Sequence, residues 1–192
     1  MLTQRLIISL NACLILSAPA MAQESPQQSC SNAASLYAKK DLEGALEEAR
    51  WCVKLMEQEK QGKTATFFKD NILGYSGDEM NQQQVMGMSV IERDYRKKDA
   101  TINVSLSAGA SGAMANAFSA MAQFGLQSGQ GKALRIQRRT ATDMSDNEQA
   151  ELQVTLKSGG FITFKSSDID SEALIAFANA FPVAELDDSL AH

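Results

Sequence analysis

Apolar residues recur along this chain with two different periods. Near the front they return every three or four positions, at Ala33, Leu36, Tyr37, Leu42, Ala45, Leu46, Ala49, Val53 and Met56. This period is typical of amphipathic helices. The pattern predicts a short helix over residues 31–40 and a longer one over residues 42–61, folded antiparallel about residues 40–41.

Beyond residue 87 apolar residues alternate with polar ones, as in half-buried strands. The strands that this alternation predicts cover residues 88–95, 101–107, 132–140, 152–156 and 161–165. Ser158, Gly159 and Gly160 predict a tight turn between the last two strands. Helical period returns over residues 112–126 and again after residue 170, until Pro182 ends the last helix.

The order of these elements, β-β-α-β-β-β-α, predicts an α+β fold. We expect a disulfide-linked N-terminal helical hairpin, then a two-layer antiparallel sheet with two packed helices and one solvent-facing surface. The predicted segments are a signal peptide (1–22), a helical hairpin (23–61), a linker or irregular segment (62–86), an α+β domain (87–187) and a disordered tail (188–192). Within the linker, residues 72–75 predict a short strand followed by a turn at 76–78, and residues 79–85 a helical turn or loop.

The first 22 residues have the three parts of a secretory signal peptide. Arg5 carries their only charge, an apolar run follows, and Ala20 and Ala22 form the small-x-small pattern that signal peptidase accepts. We therefore expect cleavage near Ala22, a periplasmic protein, and no transmembrane segment in the mature chain. Loss of Arg5 takes the formal net charge one unit below the −5 of the whole chain. This acidic balance argues against nucleic acid as a partner.

The mature chain contains two cysteines, Cys30 and Cys52. In an oxidising compartment an even number of cysteines favours a disulfide. If the two predicted helices fold back about residues 40–41, residue 30 lies opposite residues 51–52. A redox-active pair is the alternative, but such pairs usually have Cys-x-x-Cys spacing. We expect a structural disulfide.

The predicted hairpin resembles a single tetratricopeptide-type unit over residues 31–57. The small, apolar and acidic residues that match the motif are Ala33, Leu36, Asp41, Leu42, Ala45, Leu46 and Val53, with Cys52 at the position of a close-packing alanine. No second copy follows, and such arrays need about three repeats for stability. The resemblance therefore implies a lone hairpin that docks onto the following domain or onto a partner.

The sequence contains no convincing catalytic set, metal site or cofactor motif. Its single histidine, His192, is the last residue, where a catalytic base or metal ligand is not expected. The two mature cysteines are expected to be bonded together and so unavailable to a metal. A hydrolase that uses only carboxylates, such as Glu92 and Asp94, is disfavoured because we expect these two side chains on opposite sides of a strand.

Two other features point to binding. The basic residues Arg93, Arg96, Arg135, Arg138 and Arg139 would form a patch for an anionic partner if their strands were neighbours; pairing with Glu92, Asp94 or Glu151 is the alternative. The uncharged helix over 112–126 presents Met114, Phe118, Met121 and Phe124, which predict either an apolar contact helix or a helix packed on the sheet.

The sequence thus predicts a non-enzymatic binding or accessory module of the periplasm, whose partner is another periplasmic or envelope protein. The alternative is a carrier or sensor of a small apolar or lipidic ligand, held between the sheet and the Met/Phe helix. The oligomeric state is left open.

Overall fold

A computed structural model describes residues 24–85, 88–109 and 131–191 of the chain. The fold is α+β, as predicted. It divides into two compact units, one ending at Leu55 and the other beginning at Met56. We call the described residues 24–55 the hairpin unit and the described residues from 56 to 191 the sheet unit. The boundary lies within the second helix, before the residue 61 that the sequence predicted as the hairpin's end.

Two helices account for the hairpin, α1 over Pro26–Ala38 and α2 over Leu42–Ala65. Helix α1 begins before the predicted residue 31. The side-chain oxygen of Ser25 accepts a hydrogen bond from the backbone N–H of Gln28 at 3.3 Å, and a proline occupies the first helical position. Both features favour a helix start. The serine oxygen accepts from one of the N–H groups that have no partner in the first turn, and proline has no N–H to leave unpaired.

The turn between the helices depends on backbone hydrogen bonds. Lys40 has a φ of 66° and donates to the carbonyl of Tyr37 at 3.0 Å, while Asp41 donates to the carbonyl of Leu36 at 3.1 Å. This pair of bonds is a Schellman motif, which satisfies the last carbonyls of a helix. The carboxylate of Asp41 then accepts from the N–H of Gly44 at 3.1 Å and caps α2.

A disulfide joins Cys30 on α1 to Cys52 on α2, with Cα atoms 5.1 Å apart. The predicted pair and the antiparallel arrangement of the two helices are therefore confirmed. In a unit of two helices, which buries little apolar surface by itself, this covalent link constrains the unfolded chain and so stabilises the folded one.

The sheet unit contains nine described strands in a single antiparallel sheet. They are β1 (Asn71–Ile72), β2 (Tyr75–Gly77), β3 (Asn81–Val85), β4 (Met88–Lys97), β5 (Ala100–Ala108), β6 (Lys132–Ile136), β7 (Arg139–Asp143), β8 (Ala150–Thr155) and β9 (Gly160–Ser166). Their order is β1-β2-β4-β5-β9-β8-β7-β6, and β3 also pairs with β4. The predicted hairpins β4–β5 and β8–β9 are both present.

Residues 62–85 differ from the predicted linker, since α2 continues to Ala65 and three strands follow. Strands β1 and β2 form a small hairpin whose turn is Leu73 and Gly74, both with positive φ. The short strand predicted over 72–75 was therefore wrong in detail, because its centre is the turn.

Strand β3 was expected as a helical turn or a loop. Its residues 81–84 are exposed and rich in glutamine, so they show neither strand nor helix period. The strand forms because its backbone pairs along β4, from Asn81 opposite Glu92 to Val85 opposite Met88. Backbone pairing with the next strand thus decides the conformation where the side-chain pattern is uninformative.

The strand predicted over 132–140 is two strands, β6 and β7, joined by Gln137 and Arg138 with φ of 46° and 64°. The side-chain amide of Gln137 donates to the carbonyl of Phe181 at 2.7 Å and accepts from the N–H of Ala184 at 2.8 Å. These contacts come from distant residues, so the local sequence gives no sign of the turn.

Two helices follow the sheet, α3 over Ser171–Ala180 and α4 over Val183–Leu190. Asp170 caps α3 by accepting from Ala173 N–H at 2.8 Å. Helix α3 ends before Pro182, as predicted, but α4 begins directly after it. The disordered tail predicted over residues 188–192 is wrong for residues 188–190, which belong to α4.

The core of the sheet unit lies between one face of the sheet and the helices α3 and α4. The ring of Phe177 makes edge-on contacts with Tyr75, Tyr95 and Phe164, at centroid distances of 5.3–6.2 Å. The predicted inner face of β5 is confirmed, since its apolar side chains are fully buried. Burial of these side chains supplies most of the stabilisation of such a fold.

The opposite face of the sheet carries polar cross-strand rows. Asp94, Asn103, Lys165 and Glu151 lie side by side on β4, β5, β9 and β8. Asn103 donates to Asp94 at 2.8 Å, and Lys165 pairs with Glu151 at 3.0 Å. Pairs of this kind add modestly to sheet stability.

Candidate interaction surface

The five arginines of the predicted basic patch do not lie on neighbouring strands. Arg93 and Arg96 are on β4, whereas Arg135, Arg138 and Arg139 belong to β6, the following turn and β7. Strands β5, β9 and β8 separate β4 from β7. The condition for one continuous patch is therefore not met.

Arg93 is buried on the core side of β4, at the interruption between β2 and β3. Its guanidinium donates to the carbonyls of Phe68 (2.5 Å), Asp78 (2.7 Å) and Gly77 (3.2 Å), and to the carboxylate of Asp70 at 2.7 Å. The charged group thus satisfies carbonyls that the broken edge strand leaves unpaired. A Cβ on Gly77 would lie 2.4 Å from its Nε, so glycine is required there. Arg93 therefore has a structural role.

The ring of Tyr95 lies beside this guanidinium, 5.6 Å from its central carbon to the ring centroid. Burial raises the pKa of the Tyr95 hydroxyl to about 12, although the positive charge of Arg93 opposes the shift. The hydroxyl has no hydrogen-bond partner in the described part of the chain. It therefore remains protonated at neutral pH and offers no general base.

Arg139 is also buried, with only 3% of its surface exposed. It donates to Asp187 at 2.6 Å and forms a short contact with the carboxylate of Asp188. Asp187 in turn accepts from the backbone N–H groups of Lys157 (3.1 Å) and Ser158 (2.9 Å). The network ties α4 to β7 and to the turn that joins β8 to β9.

These contacts shift the pKa of both ionic partners. The hydrogen bond to Asp187 raises the pKa of Arg139, and burial only partly opposes it. Burial acts to raise the pKa of Asp187, but hydrogen bonds from Ser158, Arg139 and Lys157 outweigh it, so that the pKa is lowered. Both groups are charged at neutral pH, which is what a buried ion pair needs.

The remaining arginines of the predicted patch are on the surface. Arg96 pairs with Asp78 at 2.5 Å, which was not among the expected partners, and approaches Asp94, which was, at 4.0 Å. Arg135 and Arg138 are exposed and form no ion pair among the described residues.

The carboxylates Glu92 and Asp94 lie on the same side of β4, because they are two residues apart and side chains alternate along a strand. The expectation that they point to opposite sides was wrong. Glu92 accepts from the hydroxyl of Ser105 at 3.4 Å, and Asp94 accepts from the amide of Asn103 at 2.8 Å. Each carboxylate thus has a cross-strand partner on the polar face.

The hairpin unit presents an unusual amount of apolar surface. Its described residues bury only two hydrophobic side chains, Ala45 and Cys52. Its exposed large hydrophobic side chains are Tyr37, Leu42, Leu46, Trp51 and Val53. Leu46 is 41% exposed and Tyr37 69% exposed.

The sequence predicted a continuous apolar stripe on α2, but the helix packs differently. Ala45 and Cys52 turn toward α1, while Leu42, Leu46, Ala49 and Val53 lie roughly a quarter turn away around the helix and are exposed. We call these four exposed residues the α2 stripe. The buried face carries only the small residues Ala45 and Cys52, which permit the close approach of α1, whereas the stripe carries three large side chains besides Ala49.

Two open clefts lie on the described surface. One, of about 400 Å³, contains Trp51, whose indole N–H donates to Glu24 at 3.0 Å and whose ring lies 5.0 Å below the ammonium of Lys54. The other, of about 370 Å³, is bordered by loop residues that include Asp146 and Asp170. Backbone N–H groups of two neighbouring loop residues lower the pKa of Asp146. Its carboxylate therefore already has partners within its own loop.

The predicted apolar contact helix lies outside the described residues, and with it its four side chains, Met114, Phe118, Met121 and Phe124. No group of three or more histidine, cysteine, aspartate or glutamate side chains in the described ranges is arranged to hold a metal. Within those ranges no helix is long and apolar enough to cross a bilayer.

No protein-family model matches the chain, and no curated protein or solved structure matches it. The likeness of residues 31–57 to a tetratricopeptide unit is thus one of local pattern and helical-hairpin geometry.

Proposed function

We propose that this chain is an exported, non-enzymatic binding module that contacts another protein through the exposed apolar face of its hairpin unit. The observation that carries the proposal is the α2 stripe, whose large side chains Leu42, Leu46 and Val53 are exposed on one side of a folded helix. Soluble proteins rarely keep contiguous large apolar side chains in water without a binding role.

The composition of this face supports contact with a protein. Leu42, Leu46 and Val53 give the face an apolar centre. The charged residues Glu43 and Arg50 flank this centre, are exposed, and would form the polar rim that is typical of protein interfaces.

The disulfide supports the same role. It holds α1 and α2 in register, with Cα atoms 5.1 Å apart at the link. A surface that is ordered before binding loses less conformational entropy when its partner arrives. The link also agrees with the proposed signal peptide over residues 1–22 and with maturation in an oxidising compartment such as the periplasm.

The test is capture of partners from a periplasmic extract by immobilised mature protein. We expect Leu46→Glu to reduce capture at least tenfold, because it places a charge in the centre of the α2 stripe. Leu73→Glu is the matched control, since Leu73 is an equally apolar, 54% exposed residue of the sheet unit. Equal capture by both variants and the wild type would exclude the hairpin face as the binding surface.

A further inference from the structure

The residues of the α2 stripe follow a heptad rather than a simple helical period. Leu42, Leu46, Ala49 and Val53 are separated by four, three and four positions. This spacing is that of the a and d positions of a coiled coil, which form a narrow seam against a second helix. The seam is exposed along its whole length.

We propose that a second copy of this chain covers the α2 stripe, with the two α2 helices antiparallel. The proposal rests on the proposed function, for which it names the partner. It follows from the charges that flank the seam and from the side on which α1 already lies.

The two flanks of the seam are different. In the heptad of the stripe, one flank is formed by Ala45 and Cys52, which are buried. Cys52 is bonded to α1, so this flank is already occupied within the hairpin. The other flank carries Glu43 and Arg50, which are exposed and form no ion pair among the described residues. Only this charged flank is open to a second helix.

Antiparallel packing matches these charges. If Leu42 packs against the partner's Val53, and Leu46 against the partner's Ala49, then Glu43 faces the partner's Arg50. The two-fold symmetry of the pair repeats each of these contacts. All four stripe residues are then covered and two opposite-charge pairs form at the rim.

A parallel arrangement and a shifted antiparallel register do not pair Glu43 with the partner's Arg50. Parallel helices would place the open flank of each copy next to the flank that α1 occupies, where Ala45 and Cys52 provide no charge. An antiparallel register shifted by one heptad would bring Arg50 against the partner's Arg50, or Glu43 against the partner's Glu43. Like charges across a seam disfavour a register, so the charge pattern selects the first arrangement.

The seam is short, at about 17 Å for its length of helix. An interface of this length buries less than about 1,200 Å² of surface, at the low end of the range for protein–protein interfaces, where complexes are weak and transient. We therefore expect a reversible dimer whose fraction rises with protein concentration, and the measurement must extend to roughly 500 µM to populate it.

The test is sedimentation velocity of the oxidised mature chain over this concentration range. Glu43→Arg and Arg50→Glu, made separately, replace each attractive pair with a repulsive one and should weaken association by roughly tenfold. The double variant Glu43→Arg/Arg50→Glu restores opposite charges and should dimerise like the wild type. Glu47→Arg, the same charge change off the seam, should have no effect.

Each outcome decides the proposal. Recovery in the double variant, with loss in both single variants, supports the antiparallel pair. A chain that remains monomeric at the highest concentration overturns it, and so does a dimer that ignores all the charge changes. If the chain is monomeric while extract capture still depends on Leu46, self-association is wrong but the proposed function stands. Thermal melting by circular dichroism verifies that every variant is folded.

Discussion

The hairpin unit and the sheet unit use their apolar residues in opposite ways. Among the described residues of the sheet unit, the large hydrophobic side chains are buried or half-buried, and only Met56 and Leu73 are exposed. The hairpin unit buries Ala45 and Cys52 and exposes five large hydrophobic side chains. The larger unit thus has a hydrophobic core, whereas the smaller unit relies on its disulfide.

This difference shows that an apolar stripe in a sequence does not determine which surface buries it. In the sheet unit the inner faces of the strands meet α3 and α4 within the same chain. In the hairpin, Ala45 and Cys52 of α2 are buried, whereas Leu42, Leu46 and Val53 are exposed. The two units should therefore respond differently to mutation, and the single tryptophan, Trp51, reports on the hairpin alone.

The largest expected effect is in the sheet unit, at the buried ion pair. Arg139→Ala leaves Asp187 charged and buried without its partner, which should cost about 3–5 kcal/mol of unfolding free energy. Arg135→Ala, on the exposed surface of the adjacent strand, is the control and should change it by less than about 0.5 kcal/mol. Urea denaturation followed by circular dichroism measures the unfolding free energy of both variants. Equal losses in the two would show that the ion pair does not stabilise the fold.

Truncation of one leucine in each unit tests the comparison directly. Leu174→Ala removes a side chain that is 1% exposed and should destabilise the sheet unit by about 2–5 kcal/mol. Leu46→Ala removes one from the exposed stripe and should cost less than about 0.5 kcal/mol. A large cost for Leu46→Ala would mean that the stripe is buried within the chain.

Loss of the disulfide should affect the hairpin alone. The double variant Cys30→Ser/Cys52→Ser opens a link with a sequence separation of 22 residues and should lose about 3 kcal/mol of hairpin stability. The emission of Trp51 should shift to the red while the circular dichroism melt of the sheet keeps its midpoint. A coincident loss of both signals would contradict the independence of the two units.

Acid should weaken the ion pair of the sheet unit. Because the folded pKa of Asp187 is below its ordinary value of 3.8, its contribution is complete above that pH and is lost as the pH falls further. We expect the stability difference between the wild type and Asp187→Asn to narrow between pH 5 and pH 2. Urea denaturation at fixed pH values measures this difference, and a constant gap would show that the carboxylate is not stabilised by its partners.

The smallest effect concerns the turn of the hairpin. Lys40 has a φ of 66°, which costs a residue with a Cβ about 1 kcal/mol. Lys40→Gly should therefore stabilise the hairpin by about 0.5–1 kcal/mol in denaturation followed by Trp51 emission. Lys39→Gly, at a φ of −81°, is the control and should not stabilise it. Stabilisation by both variants would remove the left-handed turn as the cause.

Patterns carried by neighbouring residues were predicted well. The disulfide, the hairpins β4–β5 and β8–β9 and the inner face of β5 all rest on local period, spacing or turn residues. The arginines of the expected patch were not predicted well, because burial of Arg93 and Arg139 depends on partners up to 49 residues away. The exposed side of α2 was recognised as apolar but not as unpartnered.

The amino-acid sequence alone determined the class of fold, the cysteine pair and most inward-facing residues, since each follows from the periods of helices and strands. Only the tertiary structure decided the turn at Gln137, the strand β3, the helix α4 and the separation of the arginines. For the turn, for α4 and for the buried arginines, the deciding hydrogen bonds or ion pairs join residues far apart in the chain, and the local period of apolar residues carries no information about such contacts. For β3 the deciding backbone bonds are to the next strand, and its glutamine-rich sequence shows no period.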